Sequence, residues 1–185
     1  MLILGIESSC DDTSVALVQC SDNGFFVVAE KTASQIEVHK KYGGVVPEIA
    51  GRMHAENIVP VIEAVMKHKN IKTLKHENSK PDVIAVTAGP GLITGLVVGV
   101  EAAKALSYLW DVPLVAVNHI AGHAHSVEIS DFRFQISDLS GDKTTANQKK
   151  SAICNLQSAI NYPAIALIVS GGHTELLLMT NPTTF

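Results

Sequence analysis

The stretch PDVIAVTAGPGLITGLVVGVEAAKALSYLWDVPLVAVNH, from Pro81 to His119, contains the elements that decide the fold. It begins with a continuous apolar run that is typical of a buried strand, and a glycine-rich turn follows. The segment from Leu92 to Trp110 predicts a helix, and the run from Val112 to His119 predicts another strand. A strand, a helix and a second strand in this order predict a parallel βαβ unit.

The N-terminal region predicts three short strands joined by tight turns. The runs LILGIES, SVALVQC and GFFVVAEKTA are rich in apolar and β-branched residues, and the polar stretches SCDDT and SDNG separate them. Three meander strands followed by alternating helices and strands predict an α/β fold with a ribonuclease-H-like layout. We expect one mixed sheet of five strands with flanking helices on its faces.

The segment from Pro47 to Asn70 predicts a helix between the meander and the βαβ unit. We expect Pro60 to interrupt it, because proline lacks the backbone N–H that a helix interior needs. The apolar residues at close to helical spacing are Ile49, Met53, Ile58, Val61, Ile62, Val65 and Met66.

The overall composition is that of a globular chain. Of its 185 residues 46% are hydrophobic, so one ordinary domain or slightly more can form, with a sizeable core. The net charge of -4 does not favour nucleic-acid binding by bulk electrostatics, so a local patch or another subunit would have to provide it. Three cysteines without CxxC spacing (Cys10, Cys20 and Cys154) indicate a reducing compartment. We find no signal peptide and no run long enough to span a bilayer, and therefore predict a soluble, cytoplasmic protein with no membrane partner.

The composition changes after residue 125. The stretch SDLSGDKTTANQKKS is polar and charged, and we expect an exposed, flexible loop from about Ser130 to Ser151. The segment YPAIALIVSGGHTELLLMT then repeats the opening theme of two apolar strands around a small polar turn. We predict a first lobe at 1–125, a polar insertion or linker at 126–161 and the start of a second lobe at 162–185. This second lobe is incomplete, because one hairpin cannot bury its own face.

Two polar turns are candidate ligand sites. Asp11 and Asp12 lie between the first two strands, where carboxylates can orient a metal-bound phosphate or polarise a substrate group. From this turn alone, ordinary turn chemistry is favoured. The turn SGGHT, from Ser170 to Thr174, offers hydroxyls and glycine amides that suit a phosphate, although a single hairpin is a weak indication.

The glycine-rich turn TAGPGLITG allows two interpretations. Glycine before a helix lets backbone amides approach an anion, but no GK[ST] follows, so the turn is not a P-loop. Gly91, Gly95 and Gly99 recur at four-residue steps, and for the last two close helix–sheet packing is at least as good an explanation.

The stretch VNHIAGHAHS contains three histidines, His119, His123 and His125. On a helix, His119 and His123 would share a face and could bind one metal ion. A zinc protease of the HExxH type needs glutamate after the first histidine, and Ile120 stands there, so that interpretation loses its general base. Taken alone, such a pair is more often a surface or capping feature, and a third ligand must come from elsewhere.

Five motifs occur in the order seen in one family. They are GIESSCDDTSVAL, HKKYGGVVPEIAGRMHAENI, TAGPGLITGLVVG, VNHIAGH and LIVSGGHTEL. The chain resembles the N-terminal half of the TsaD family, the tRNA N6-adenosine threonylcarbamoyltransferases formerly described as O-sialoglycoprotein endopeptidases. The resemblance covers residues 2 to about 125 and about 162 to 180, and the polar stretch between them matches poorly.

This resemblance implies a two-lobed fold of the actin, Hsp70 and sugar-kinase type. It implies transfer of a threonylcarbamoyl group from threonylcarbamoyl-adenylate to N6 of the adenosine beside the anticodon, in tRNAs that read ANN codons. It also implies that His119 and His123 bind one Fe(2+) ion per subunit, with Zn(2+) as the alternative. Asp11 and Asp12 correspond to the catalytic acidic pair; the usual pair is Asp-Glu, so the second carboxylate is shorter here. The implied substrate-binding residues are Ile168, Val169, Ser170, Gly171 and Gly172.

The same resemblance implies TsaB-like and TsaE-like protein partners, besides tRNA and the adenylate. The family's third metal ligand, an aspartate, and several adenylate-binding residues lie in the half that this sequence lacks. We therefore expect a truncated form that binds metal weakly and is inactive alone. The alternative is a non-catalytic TsaB-like scaffold of the same fold, but the paired histidines argue against it. They are equally unexpected in a plain sugar-kinase-like enzyme.

Overall fold

The computed structural model describes residues 1–21, 24–68, 80–126, 160–169, 174–181 and 184. The chain divides into two compact units, of which the first comprises Met1–Ser21 and Phe25–Gly122 and the second comprises Asp22–Gly24 and His123–Phe185. The loop predicted from about Ser130 to Ser151 lies outside the described residues. The three-part domain division predicted above therefore stays a prediction.

The first unit is built on a five-stranded mixed sheet. Strand β1 pairs antiparallel with β2 and parallel with β4, and β4 pairs parallel with β5. The strand order is β3-β2-β1-β4-β5, the ribonuclease-H-like arrangement that the sequence pattern predicts, so the predicted fold class is confirmed. The strands are β1 (Leu2–Glu7), β2 (Asp12–Ser21), β3 (Gly24–Ser34), β4 (Val83–Gly89) and β5 (Leu114–Asn118).

Two long helices pack on this sheet. Helix α2 contacts β2 and α3, and α3 also contacts β1, β4 and β5. Burial alternates along β1, as expected for a strand with one face turned to the core, with Leu2, Leu4 and Ile6 almost inaccessible. The helices are α1 (Ile36–His39), followed by a 3₁₀ turn (Lys40–Tyr42), then α2 (Pro47–Met66), α3 (Ile93–Trp110) and α4 (His119–His125).

Pro60 does not interrupt α2, so the prediction of a break was wrong. The helix runs through it from Pro47 to Met66. Pro60 lies on the exposed face, between the exposed Val59 and the buried Val61. Because Pro60 faces solvent, water can bond the carbonyl that its missing N–H leaves unpaired, and the buried stripe of α2 stays continuous.

Helix α3 has the length and composition of a membrane-crossing segment, with 18 residues and a mean hydropathy of 1.2. Its contacts give a different explanation. Gly95, Leu96, Gly99 and Ala103 are buried against the sheet and α2. We interpret α3 as a helix that packs on the sheet through this narrow face, while Ile93, Val97, Tyr108 and Leu109 on the rest of its surface are exposed.

The second unit contains an antiparallel hairpin of β6 (Ala164–Val169) and β7 (Thr174–Met179). Its strands alternate in exposure, and one face consists of exposed apolar side chains. This is the incomplete burial that a single hairpin must show. The exposed residues of that face are Ile165, Leu167, Val169, Leu176 and Leu178.

Candidate functional site

Three neighbouring parallel strands bring polar side chains together at the carboxyl edge of the sheet. Glu7 is the last residue of β1, Thr87 lies near the end of β4, and His119 directly follows β5. Because β1, β4 and β5 are adjacent and parallel, their carboxyl ends meet at one edge. This is the edge at which open α/β sheets bind their ligands.

Glu7 is the centre of this cluster. The Thr87 hydroxyl donates to Oε2 of Glu7 at 2.6 Å, and the backbone N–H of Ser9 donates to Oε1 at 2.5 Å. Nδ1 of His119 lies 3.1 Å from Oε2. Burial alone would raise the pKa of Glu7, but the hydrogen bonds from Ser9, Thr87 and His119 outweigh it, so its pKa is lowered. Glu7 is therefore a fixed negative charge beside His119.

Helix α4 begins at His119 because Asn118 caps it. The Asn118 side-chain oxygen accepts hydrogen bonds from the N–H groups of Ile120 at 2.8 Å and Ala121 at 3.2 Å. Asparagine commonly caps a helix N-terminus in this way. The cap holds His119 at the sheet edge, where the Ser9 hydroxyl also lies 3.0 Å from Nδ1.

The turn that carries Asp11 and Asp12 is held by the two long helices. His54 on α2 is fully buried, with Nε2 3.1 Å from the Cys10 carbonyl and Nδ1 2.7 Å from the Thr13 hydroxyl. A carbonyl only accepts, so Nε2 carries the proton and Thr13 donates to Nδ1. From the other side, the N–H of Leu92 donates to the Ser9 carbonyl at 2.7 Å.

Asp12 has a feature that points to a ligand. Its Oδ1 atom is buried and has no hydrogen-bond partner within the residues that the structure describes. An unpaired buried acceptor costs about 1–3 kcal/mol, so such an atom normally meets a donor from water or a bound group. Asp12 is the first residue of β2, and Asp11 lies in the turn before it, where its carbonyl accepts from the N–H of Gln35 at 3.1 Å.

Gly91, just before α3, and Gly95 and Gly99 within it allow close packing against this turn. A Cβ atom at Gly91 would lie 2.6 Å from the Ser9 carbonyl oxygen, and one at Gly99 would overlap the Ser8 hydroxyl. The Ser8 hydroxyl donates to the Gly95 carbonyl at 3.0 Å. These contacts favour the packing explanation of the four-residue glycine repeat over an anion site.

The sequence-predicted site residues fall into three groups. Asp11, Asp12 and His119 lie at the carboxyl edge of the first unit, while His123 follows four residues later on the same helix, α4. Ile168 and Val169 end β6 in the second unit. Ser170, Gly171 and Gly172 lie outside the described residues. The roles assigned to all of these residues stay predictions.

Sequence reasoning missed Glu7, Thr87 and His54. Glu7 and Thr87 are polar residues at the carboxyl ends of apolar strands, and that position was the available signal. His54 occupies a core position of α2, four residues after Ala50 and four before Ile58, both of which are buried. A histidine within an apolar stripe indicates a buried hydrogen-bonding role.

Cys10 should react slowly with alkylating reagents. Partial burial, followed by the negative charges of Asp11 and Asp12, raises the pKa of its thiol from 9.0 to about 11. At about pH 8 its thiolate fraction is then about 100-fold lower than that of a thiol with the ordinary value. Peptide mapping after timed iodoacetamide exposure measures this, with glutathione in the same tube as reference. Asp11→Asn should speed the reaction, and alkylation of the unaltered chain as fast as glutathione would contradict the assignment.

Comparison with known proteins gives consistent matches. A family model described as "TsaD: tRNA N6-adenosine threonylcarbamoyltransferase" matches residues 26–136. A Bacillus subtilis (strain 168) protein with the name tRNA N6-adenosine threonylcarbamoyltransferase is 44% identical over 185 residues, which cover 100% of this chain and 43% of the relative. An Anoxybacillus flavithermus protein of the same name is 45% identical over 179 residues, covering 97% of this chain and 42% of the relative.

The chain thus spans less than half the length of the curated relatives that it matches. Among solved structures, "YeaZ from Pseudomonas aeruginosa" aligns with a TM-score of 0.48 at 18% sequence identity. That alignment covers 71% of this chain and 51% of the other.

Proposed function

The chain belongs to the TsaD family of tRNA N6-adenosine threonylcarbamoyltransferases, and on this premise we propose that it is part of an enzyme that modifies tRNA. The reaction is transfer of the threonylcarbamoyl group from threonylcarbamoyl-adenylate to N6 of the adenosine beside the anticodon, in tRNAs that read ANN codons. The observation that carries this proposal is the family match over residues 26–136, which include both His119 and His123. Because the chain covers 43% of its Bacillus subtilis relative, the activity is assigned to the longer protein.

His119 and His123 are the proposed metal ligands. Imidazole nitrogen is a suitable donor for Fe(2+), and Zn(2+) is the alternative. Within the described ranges, no group of three or more histidine, cysteine, aspartate or glutamate side chains could hold a metal ion, so a further ligand must come from elsewhere. When bound, the ion supplies Lewis-acid polarisation of a substrate oxygen.

Asp11 and Asp12 are the proposed catalytic pair. Attack of the adenosine N6 amine on the carbamoyl carbon forms the new C–N bond and breaks the bond to the adenylate, which leaves as AMP; the amine also loses a proton, which a carboxylate beside the reacting centre can accept. The Oδ1 atom of Asp12 is buried and has no hydrogen-bond partner among the described residues, which supports a role as the acceptor of a substrate hydrogen bond. The hydrogen bonds of His54 with the Thr13 hydroxyl and the Cys10 carbonyl would hold this turn, and with it both carboxylates, in place.

The second unit is the proposed adenylate-binding part. Ile168 and Val169, at the end of β6, and the adjacent Ser170 to Gly172 would hold the nucleotide. With a net charge of -4, tRNA binding needs a local patch or a partner. TsaB-like and TsaE-like proteins are the proposed partners.

The test is a transfer assay with unmodified tRNA and labelled threonylcarbamoyl-adenylate. We compare the 185-residue chain with the same chain fused to the remaining residues of the Bacillus subtilis relative, each supplied with the partner proteins. The short chain should be inactive and the fused chain active, and Asp12→Asn should lower the rate of the fused chain at least about 100-fold. Glu101→Gln, an exposed change on α3, is the matched control. A fused chain that is folded and metal-loaded but transfers nothing would contradict the proposal.

A further inference from the structure

The 40–45 segment, which lies between α1 and α2, is exposed along its whole length and carries positive charge. Its sequence is KKYGGV, with two lysines and no acidic residue, in a chain whose net charge is -4. Each of its residues is exposed, and Tyr42 is 61% exposed. A basic and aromatic surface of this kind is the local patch that a nucleic acid needs on an otherwise acidic chain.

The lysines of this segment can bind an external anion. Lys41 forms no ion pair with a described residue, and Lys40 meets Glu37 at 3.8 Å, with side chains that are 74% and 85% exposed. A long and exposed ion pair contributes little, so phosphate oxygens can compete with Glu37. Other exposed basic side chains are paired with a carboxylate on the preceding turn, at 2.6–2.7 Å; these are Arg52, Lys67 and Lys104.

The two glycines of the segment have different explanations. Gly43 has a φ of 74° and ends the 3₁₀ turn, a left-handed position that favours glycine. Gly44 has no such φ, and no described atom lies within 4 Å of a Cβ placed there. Neither backbone conformation nor packing against the described residues therefore requires glycine at Gly44. Close approach of another molecule to the backbone would require it.

A buried hydrogen-bond network closes the 40–45 segment and links it to the turn of the acidic pair. The N–H of Val46 donates to Nδ1 of His39 at 3.3 Å, so the two ends of the segment are joined. Nε2 of His39 lies 3.0 Å from Oε1 of Gln35, and the N–H of Gln35 donates to the Asp11 carbonyl at 3.1 Å. His39 is 3% exposed and Gln35 is 0% exposed. The surface is therefore preformed, which lowers the entropic cost of binding a partner.

We propose that the 40–45 segment is an RNA-binding surface, on which Lys40 and Lys41 contact phosphates and Tyr42 stacks on an unpaired base of the tRNA. The inference rests on the proposed function for the identity of the RNA, and it adds the part of this chain that binds it. The adenosine of the proposed reaction lies beside the anticodon, in a single-stranded loop. Proteins recognise such loops by stacking aromatic side chains on the unpaired bases, while lysines neutralise the phosphates.

The first experiment measures binding of a fluorescently labelled anticodon stem-loop RNA by anisotropy, both to the 185-residue chain and to the fused chain of the transfer assay. Tyr42→Ala should weaken binding about 5–150-fold, which is the effect of losing one stacked base. Tyr42→Phe keeps the ring and should restore the affinity. Lys41→Ala should lower the slope of log K against log salt by about 0.7, the value for one phosphate contact of a single strand.

Two matched controls test whether the effect belongs to this surface. Tyr108→Ala removes a tyrosine of α3 that is 92% exposed, and Lys67→Ala removes an exposed lysine just after α2. Both variants should bind the RNA as the unaltered chain does. The proposal would be overturned if neither chain bound the RNA, or if Tyr42→Ala and Lys41→Ala left affinity and salt slope unchanged. Loss of a protein partner from Tyr42→Ala with normal RNA binding would also overturn it.

The transfer assay separates this inference from the proposed function. In the fused chain, Tyr42→Ala should raise the KM for tRNA and leave the KM for threonylcarbamoyl-adenylate unchanged. If the fused chain transfers the group but neither Tyr42→Ala nor Lys41→Ala changes the KM for tRNA, the RNA surface is refuted and the proposed function stands. If the stem-loop binds through Tyr42 and Lys41 but the fused chain transfers nothing, the proposed function fails and the RNA surface stands.

Discussion

Replacement of Gly95 by alanine should lower the free energy of unfolding of the 185-residue chain by about 3 kcal/mol, at the upper end of the usual cost of overpacking. A Cβ atom at this position would overlap the Ser8 carbonyl oxygen and lie 3.0 Å from both Cδ2 and Nε2 of the buried His54. Neither Ser8 nor His54 can move away from that atom without disturbing its own hydrogen bonds. Ser8 is bonded to α3 through its hydroxyl, and His54 is bonded to Thr13 and Cys10.

The measurement is urea or thermal unfolding followed by circular dichroism, and the expected loss corresponds to about 6–12 °C in Tm. Gly122→Ala is the matched control, because Gly122 is also a helical glycine and no described atom lies within 4 Å of a Cβ placed there. Alanine should stabilise that open position by up to about 1 kcal/mol. Equal stability of Gly95→Ala and the unaltered chain would show that α3 does not press on the Ser8–Ser9 turn.

The fold could largely be predicted from the sequence, because its signals are local. The apolar run before Gly89 and the helical segment ending at Trp110 carry the periodicities of a buried strand and a packed helix, and both formed where expected. The prediction failed at Pro60, where local propensity opposed tertiary packing. The helix continues there because its buried face packs against the sheet while Pro60 faces solvent.

The site was less predictable, because it depends on contacts between distant residues. The Glu7–His119 pair joins residues 112 positions apart, and nothing in either local sequence indicates the other. Their meeting follows from the strand order, which puts β4 beside β1 and β5 beside β4. The histidine spacing indicates that His119 and His123 share a helix face, but it cannot show that Glu7 lies beside His119, because that contact depends on tertiary structure.

His119→Ala and His123→Ala should each weaken Co(2+) binding by at least about 100-fold in the chain fused to the remainder of its relative. Each removes one imidazole from a site in which the described part of this chain offers no cluster of three or more ligands. The 185-residue chain alone should bind Co(2+) weakly for the same reason. His125→Ala is the matched control, since His125 lies on α4 but six residues from His119 and two from His123, away from their shared face.

The pH dependence of metal binding should also indicate that His119 and His123 are the ligands. A metal competes with protons for the imidazole lone pair, so occupancy should fall as the solution is taken from about pH 8 to about pH 5. The sign is fixed by chemistry, because protonation removes the donor and cannot strengthen binding. Equilibrium dialysis with metal analysis measures stoichiometry at each pH, for the unaltered fused chain and the three histidine variants. Tight binding that survives both His119→Ala and His123→Ala would show that the metal is held elsewhere.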